Sequence, residues 1–384
     1  MKRKRNHVLF GALSCIIAVS IYGYLNMADE FPAGWTDPIN LNIRGGSPAL
    51  MIDDDTFFLA FKESGDEESI ITIYSSKDGR EWVTTDHVER HSGDIYTPSS
   101  PQWLQRPHDE IWFVWNSGRK SNDGFTEIKY YAILDGEGKL SEHSILHSID
   151  DNRWSLCEIT STASGGFAML NMYYPPCYIK LQGRVIEGSG DSDTLVQIAD
   201  ENLQWDDPIA FSDTTFSYSQ DIVLDDEGTL WALYTESQPK EGTYVRTSED
   251  GKTWSEPMFI TKELTVNLFQ RKTGQYLLFI LTDDNSLYVK YSEDGIEWSS
   301  PHFISNFIRA TSVTVAESDD GTVWIIVDGS FIYLLTFTDE KYKRDMELLQ
   351  EIHQRNGILA LGTALLFFSF CYLFQRKKEE KYII

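Results

Sequence analysis

At 384 residues the chain has the length of one large or two ordinary domains, and 13% Trp, Tyr and Phe is the aromatic content of an all-β protein. Of its formal net charge of −26, eight cations lie at the two ends (Lys2, Arg3, Lys4, Arg5; Arg376, Lys377, Lys378, Lys381). Without these and Glu379 and Glu380, 25 Lys and Arg face 57 Asp and Glu, a net −32 that repels phosphate backbones and anionic lipid surfaces and excludes nucleic acid as a partner.

Residues 1–7 form a basic tail, and Val8–Met27 is free of charge. The length favours a transmembrane signal-anchor over 8–27, with a cleaved signal peptide as the alternative, followed by a linker over 28–34. A second apolar run, Gly357–Phe374, predicts a transmembrane helix over 357–374, and its basic flank leads into a tail over 375–384. With both basic clusters inside, both termini are expected in the cytoplasm and the middle outside, tied to the lipid bilayer through two spans. Residues 339–356, DEKYKRDMELLQEIHQRN, set Met346, Leu349 and Ile352 at helical spacing and read as a stalk. Cys157 and Cys177 either form a disulfide or are two buried thiols; their spacing does not choose.

Between 35 and 338 the pattern is one of short β-prone runs. The first unit holds Leu50–Ile52, Phe57–Phe61, Ile70–Tyr74 and a strand from Trp82; the second holds Gln102–Leu104, Ile111–Trp115 and Ile128–Ile133, with Leu140 where a Trp is expected. Leu156–Thr160, Phe167–Met172 and Thr194–Ile198 lead to Trp205; Asp221–Leu224, Leu230–Tyr234 and Tyr244–Thr247 lead to Trp254; Leu264–Phe269, Tyr276–Leu281 and Leu287–Tyr291 lead to Trp298. A sixth unit, Ser312–Ala316, Val323–Val327 and Phe331–Phe337, stops one strand short. The missing strand is at the front, where Trp35-Thr-Asp-Pro38-Ile-Asn-Leu41 matches Trp254-Ser-Glu-Pro257-Met-Phe-Ile260. This arithmetic predicts six four-stranded blades, with the N-terminal strand closing the last and removing an open edge.

What joins the third and fourth strands is a repeated turn: Ser76-Lys-Asp78-Gly79-Arg-Glu-Trp82, Ser248-Glu-Asp250-Gly251-Lys-Thr-Trp254 and Ser292-Glu-Asp294-Gly295-Ile-Glu-Trp298. Ser and Asp can bond the turn's own backbone, Gly supplies a positive φ, and Trp folds back over the turn. A degenerate copy ends at Trp205 without the glycine. The repeat resembles the Asp-box, or bacterial neuraminidase repeat, of the sialidase superfamily, usually Ser-x-Asp-x-Gly-x-Thr-Trp, here one residue shorter between Ser and Gly. The resemblance implies a β-propeller in which the box is structural.

In an up-and-down blade the loops between second and third strands share a face with the start of each first strand. That face is expected to carry the varied loops Lys62–Ser69, Asn116–Glu127, Tyr173–Asp193 and Glu236–Gly242. Arg44, Arg153 and Arg309 precede first strands at similar register, so they either converge on a ligand carboxylate or each pair with a local acid such as Asp94, Asp151 or Glu158. Sialidases use an arginine triad for the carboxylate of sialic acid, so the resemblance implies the first. Where the family has Arg-Ile-Pro this chain has Arg44-Gly-Gly-Ser-Pro48, and no tyrosine sits beside Arg309. Tyr218, Asp221, Tyr234 and Glu236 are the polar candidates near the fourth blade's mouth, or else rim and core residues. Trp115 and Tyr173–Tyr174 are candidate sugar platforms or ordinary packing. No metal-ligand spacing or nucleotide loop is present, so no metal or cofactor is expected. The leading expectation is a displayed module that binds a carbohydrate or another extracellular ligand; the alternatives are an exo-acting, sialidase-like glycoside hydrolase and a structural subunit of a membrane complex.

Overall fold

The computed structural model describes residues 33–351 and 354–355, apart from 44, 64–69, 91–93, 107–109, 122–123, 150–153, 175, 182–183, 190–192, 212–216, 237–240 and 264. Six four-stranded antiparallel sheets follow one another along the chain as a β-propeller. Blade 1 is β2 (Gly45–Asp53), β3 (Thr56–Glu63), β4 (Ile71–Ser76) and β5 (Val83–Val88); blade 2 is β6 (Asp94–Gln105), β7 (Ile111–Ser121), β8 (Gly124–Ile133) and β9 (Ser144–Ile149). Blade 3 is β10 (Trp154–Ser161), β11 (Phe167–Tyr173), β14 (Asp193–Ala199) and β15 (Ile209–Ala210), with a separate hairpin, β12 (Pro176–Leu181) and β13 (Arg184–Ser189), set between β11 and β14. Blade 4 is β16 (Ser217–Leu224), β17 (Leu230–Glu236), β18 (Gly242–Ser248) and β19 (Met258–Thr261). Blade 5 is β20 (Thr265–Gln270), β21 (Tyr276–Leu281), β22 (Ser286–Ser292) and β23 (His302–Asn306). Blade 6 is β24 (Ser312–Glu317), β25 (Val323–Asp328) and β26 (Ile332–Phe337), completed by β1 (Ile39–Asn40).

The apolar runs become second strands because those strands are covered on both faces. All seven residues of β17 and all six of β21 are buried. The core lies between adjacent sheets: Ala60, Ile71 and Ile73 of blade 1 pack on Phe113 and Trp115 of blade 2, and Leu156, Phe167 and Met169 of blade 3 pack on Trp112 and Val114. At about 1.5–3 kcal/mol per fully buried large apolar side chain, these inter-blade layers drive the assembly.

The N-terminal strand closes the last blade, as its sequence predicts. Ile39 pairs with Leu334 and Asn40 with Tyr333, and the backbone bonds Thr36 N to Thr336 O (2.9 Å) and Leu41 N to Ile332 O (3.0 Å) extend the pairing. Two expected loops are instead β-structure. β7 and β8 run on to Ser121 and Gly124, and the Tyr173–Asp193 segment contains the β12–β13 hairpin. Long excursions meet their own backbone hydrogen-bonding needs most simply by pairing with themselves.

Among the described residues, Gly34, Trp35, His302–Ile304 and the stretch 338–351 belong to a second compact unit. Its helix, α1 (339–351), is capped by Thr338, whose Oγ1 accepts from Lys341 N at 3.2 Å; Asp345 Oδ2 accepts from Gly34 N at 2.9 Å. The expected N- and C-terminal transmembrane helices require correction. The segments 8–27 and 357–374 lie outside the described residues, and among the described residues no helix is long and apolar enough to cross a membrane. Helix α1, with its Asp, Glu, Lys and Arg side chains, is too short and too charged to do so. The two-span tether and the cell-membrane localisation drawn from it are withdrawn with it.

Candidate functional site

The repeated turn is a closed set of hydrogen bonds. Asp78 Oδ1 accepts from Ser76 Oγ (3.0 Å), Arg80 N (2.8 Å) and Glu81 N (2.9 Å), while Trp82 Nε1 donates to Gly79 O at 3.1 Å. Asp250 and Asp294 receive the same three bonds, and Trp254 and Trp298 donate to Gly251 O and Gly295 O. The backbone N–H groups hold the Asp78 and Asp294 carboxyls below their usual range and Asp250 at about 2. The recurring Ser hydroxyl, Asp Oδ1 and Trp Nε1 are each engaged within their own turn, so these residues act as a staple. In the degenerate copy Leu203 takes the positive φ (62°), and Trp205 Nε1 donates instead to Leu146 O of blade 2 at 3.3 Å.

The chemistry gathers at the axis. One cavity of about 260 Å³ takes lining residues from every blade: Pro48, Gln102, Glu158, Asp221, Asn267 and Val313 among them. These residues lie along the first strand of each blade, Pro48, Asn267 and Val313 in its first half and Gln102, Glu158 and Asp221 in its second. The inner strands of blades 1–4 are bulged at this level: pairing skips between Gly46 and Ala49, Ser99 and Gln102, Leu156 and Ile159, and Ser219 and Asp221. The skipped residues include Ser47-Pro48, Ser100-Pro101, Glu158 and Gln220, all of which line the cavity. A bulge frees a residue from the ladder and re-aims its side chain, and it admits a proline that has no N–H to give. Ser47 and Ser100 hold φ of 52° and 49°, so the same device recurs in blades 1 and 2.

Charge in and around the cavity is concentrated on blades 2–4. Asp221 Oδ2 accepts from Asn267 Nδ2 and Leu268 N, both at 3.0 Å. Burial, with the Glu158 carboxylate as a further cause, nevertheless pushes Asp221 up to about 7. Glu158 accepts from Gln102 Nε2 and is itself raised by burial, against the pull of Lys129. Behind them the wholly buried Lys129 donates from Nζ to Cys157 O at 2.8 Å and Gln102 Oε1 at 3.4 Å, and burial lowers it to about 8. Glu127 accepts from Leu156 N at 3.1 Å and is raised by burial to about 7. The group is a linked set of half-buried acids around one buried lysine, in which burial disfavours every charged form.

Of the residues singled out by sequence, Asp221 lies in this cavity. Arg309 is exposed, with φ 57°, in the connection before β24, and it does not line the cavity. Arg44 and Arg153 lie outside the described residues, as does the side chain of Tyr218. Glu236 is buried at the end of β17, where its charge adds to the burial that raises Tyr244 and Tyr234. Asp94, weighed as a partner for a rim arginine, accepts from Ser117 Oγ (2.8 Å) and pairs with Arg119 (3.3 Å). Trp115 is core, stacked between Phe113 and Tyr130, and Tyr173 packs on Trp154. Cys157 Sγ donates to Ser155 O at 3.4 Å, and the side chain of Cys177 lies outside those described. Sequence reasoning missed Gln102 and Lys129 and weighed Glu158 only as a local ion-pair partner.

No family model matches the sequence, and no curated protein does. Among solved structures the chain is similar to a Dyadobacter fermentans protein of unknown function (TM-score 0.59, 11% identity, 79% of this chain and 100% of that one). It is also similar to Trypanosoma rangeli sialidase (TM-score 0.54, 9% identity, 80% of this chain) and to that enzyme in complex with sialic acid (TM-score 0.52, 10% identity). The match covers 57% of the sialidase chain. At these identities the likeness establishes the fold alone: this is a six-bladed β-propeller of the architecture that sialidases also use.

Proposed function

We propose that the protein is a carbohydrate-binding propeller of the sialidase type, its repeated turns being Asp-boxes, and that the ligand enters the axial cavity. The observation that carries this is the convergence of hydroxyl, amide and carboxyl groups from all six inner strands on one cavity, beside an apolar wall that includes Phe279 and Leu281. A few polar groups fixed on rigid strands against apolar surface are what a sugar, polar at its edge and apolar on its C–H faces, requires. The carbohydrate held by a neighbour of the same fold supports the class of ligand. A glycan array followed by calorimetry on the hits tests it. Binding that is lost in Asp221→Ala, with the fold intact, supports the reading; an array without hits from folded protein removes it.

A second reading, exo-acting glycoside hydrolysis, draws on the acid pair. A carboxyl held near 7 beside a second carboxyl is suited to donating a proton to a leaving glycosidic oxygen. In the sialidase form of this reading Arg44, Arg153 and Arg309 would hold the substrate carboxylate. Release of fluorophore from a sialoside or a neutral aryl glycoside, abolished by Asp221→Asn or, for the sialoside, by Arg309→Ala, would replace binding by hydrolysis.

A further inference from the structure

We infer that the axial cavity accepts a single uncharged sugar residue and discriminates against sugars that carry a carboxylate. The inference rests on the carbohydrate reading above and opposes the substrate that the sialidase likeness suggests. Its first support is charge. Glu158 and Asp221 both line the cavity, each already in an environment that disfavours its own ionised form. A ligand carboxylate placed among them would add negative charge to a poorly solvated space that already disfavours it. The nearest buried cation gives little relief, because Lys129 Nζ is engaged by Cys157 O and Gln102 Oε1 and its side chain is wholly enclosed by protein. Among the described residues that line the cavity, none is Lys, Arg or His.

The second support is the hydrogen-bonding inventory. Asn267 spends its Nδ2 on Asp221, and Thr311 spends its hydroxyl on Asp328 at 2.8 Å, whereas the buried hydroxyl oxygen of Ser312 has no hydrogen-bond partner among the described residues. Ser312 Oγ can both donate and accept, and a carboxyl that is half protonated near pH 7 can do either as well. Sugar hydroxyls, which also donate and accept, can use groups of this kind in either role, whereas a carboxylate can use them only as donors. The third support is size. About 260 Å³ falls just below the roughly 300–1,000 Å³ range of drug-sized pockets, which suits one sugar ring and not a chain of them.

Calorimetry or ligand-observed NMR on the full chain, with the methyl glycosides of glucose, galactose and xylose set against methyl α-sialoside, tests the inference. At least one neutral glycoside should bind about tenfold or more tightly than the sialoside at pH 7.5. Removing the acidic charge with Asp221→Asn and Glu158→Gln should narrow that ratio by strengthening sialoside binding. Each variant is first shown to melt cooperatively, and if neither does, the wild-type ratio decides alone. A sialoside that binds wild type more tightly than every neutral glycoside overturns the inference and leaves the carbohydrate reading standing. Failure of all four probes, with an array that is also blank, removes both.

Discussion

Gly295 of blade 5 lies against the indole of Trp231 of blade 4, so closely that a methyl group built on it would meet Cη2 at 2.3 Å. Gly79 meets Trp324 in the same way (2.5 Å), and so joins blade 1 to blade 6. The glycine of the repeated turn therefore has two duties: φ near 70° for the staple and empty space for a side chain of the neighbouring blade, Trp231, Trp324 or, at Gly251, Ile198.

Three alanine substitutions separate these duties. Gly136→Ala has open space around it and no positive φ, and should leave the melting midpoint unchanged. Gly274→Ala has open space but φ of 86°, and should cost about 1 kcal/mol. Gly295→Ala has the strain and the clash together and should cost roughly 3 kcal/mol or more. Urea denaturation of the three variants checks the order; equal losses at 274 and 295 would remove the inter-blade duty.

Ring closure by β1 predicts a polar failure as well as a loss of contacts. Deleting residues 1–42 removes the partners of Thr336 N, Thr336 O and Ile332 O and leaves them exposed along an open strand edge. The truncated protein should aggregate or lose its cooperative melt. A soluble monomer that melts like the full chain would show that blade 6 is stable with three strands.

The Asp221 carboxyl sits at about 7 in the folded protein against about 4 unfolded, so between those values the folded state holds a proton that the unfolded state has released. Its contribution to stability is fully present at about pH 4 and falls as pH rises to 7 and beyond. Asp221→Asn, whose side-chain oxygen can still accept from Asn267 and Leu268, should match wild type near pH 4.5 and be more stable at pH 8, on the order of 1–3 kcal/mol after allowance for water in the cavity. Melting temperatures across that range test it, and a difference that does not vary with pH would refute the assignment.

Asp250 behaves oppositely. Its carboxyl is held at about 2 by the N–H groups of Thr253 and Lys252, so its contribution is present above about pH 4 and is lost as pH falls through 2. Asp250→Ala should lower the melting midpoint at neutral pH, and the gap from wild type should shrink in acid. A gap that persists undiminished at pH 2 would mean that the side chain acts through packing instead.

His147 supplies an independent acid-side signal. Burial holds its imidazole at about 4 as it packs on Trp205 at 4.4 Å, so stability is lost as pH falls from about 6.5 toward 4. His147→Phe should flatten the melting profile in that window while keeping the ring contact; an unchanged acid slope would exclude His147 as its source.

The fold was readable because its parts are local. Ser, Asp, Gly and Trp build each staple from one stretch of sequence, and the Trp-x-x-Pro of residues 35–38 repeats the fourth-strand pattern without reference to anything distant. The site was less readable because its parts are not local. Glu158, Gln102 and Lys129 meet across blades 2 and 3, and the buried lysine sits in an otherwise ordinary strand pattern around Tyr130 and Ala132. One signal was present: Ser47-Pro48 and Ser100-Pro101 place a proline within the first strand of successive blades, where proline marks a bulge. The glycine-to-Trp231 joint could not be read either, since the motif explains its glycine by the turn alone. The terminal segments gave a strong hydropathy signal, but they lie outside the described residues, among which no helix is long and apolar enough to cross a membrane.

The pairing of Ile39 with Leu334 also sets a timetable for synthesis. At 5–20 residues per second, the ribosome takes roughly 15–60 s to reach the second partner after making the first. Blade 1 can pair within itself early, but its turn glycine waits for Trp324 and strand β1 waits for β26. Throughout that interval the growing chain carries a completed N-terminal strand with no sheet to join. Slow translation of the last blade prolongs the time in which that strand can pair with a neighbouring nascent chain, making polysome spacing a determinant of yield.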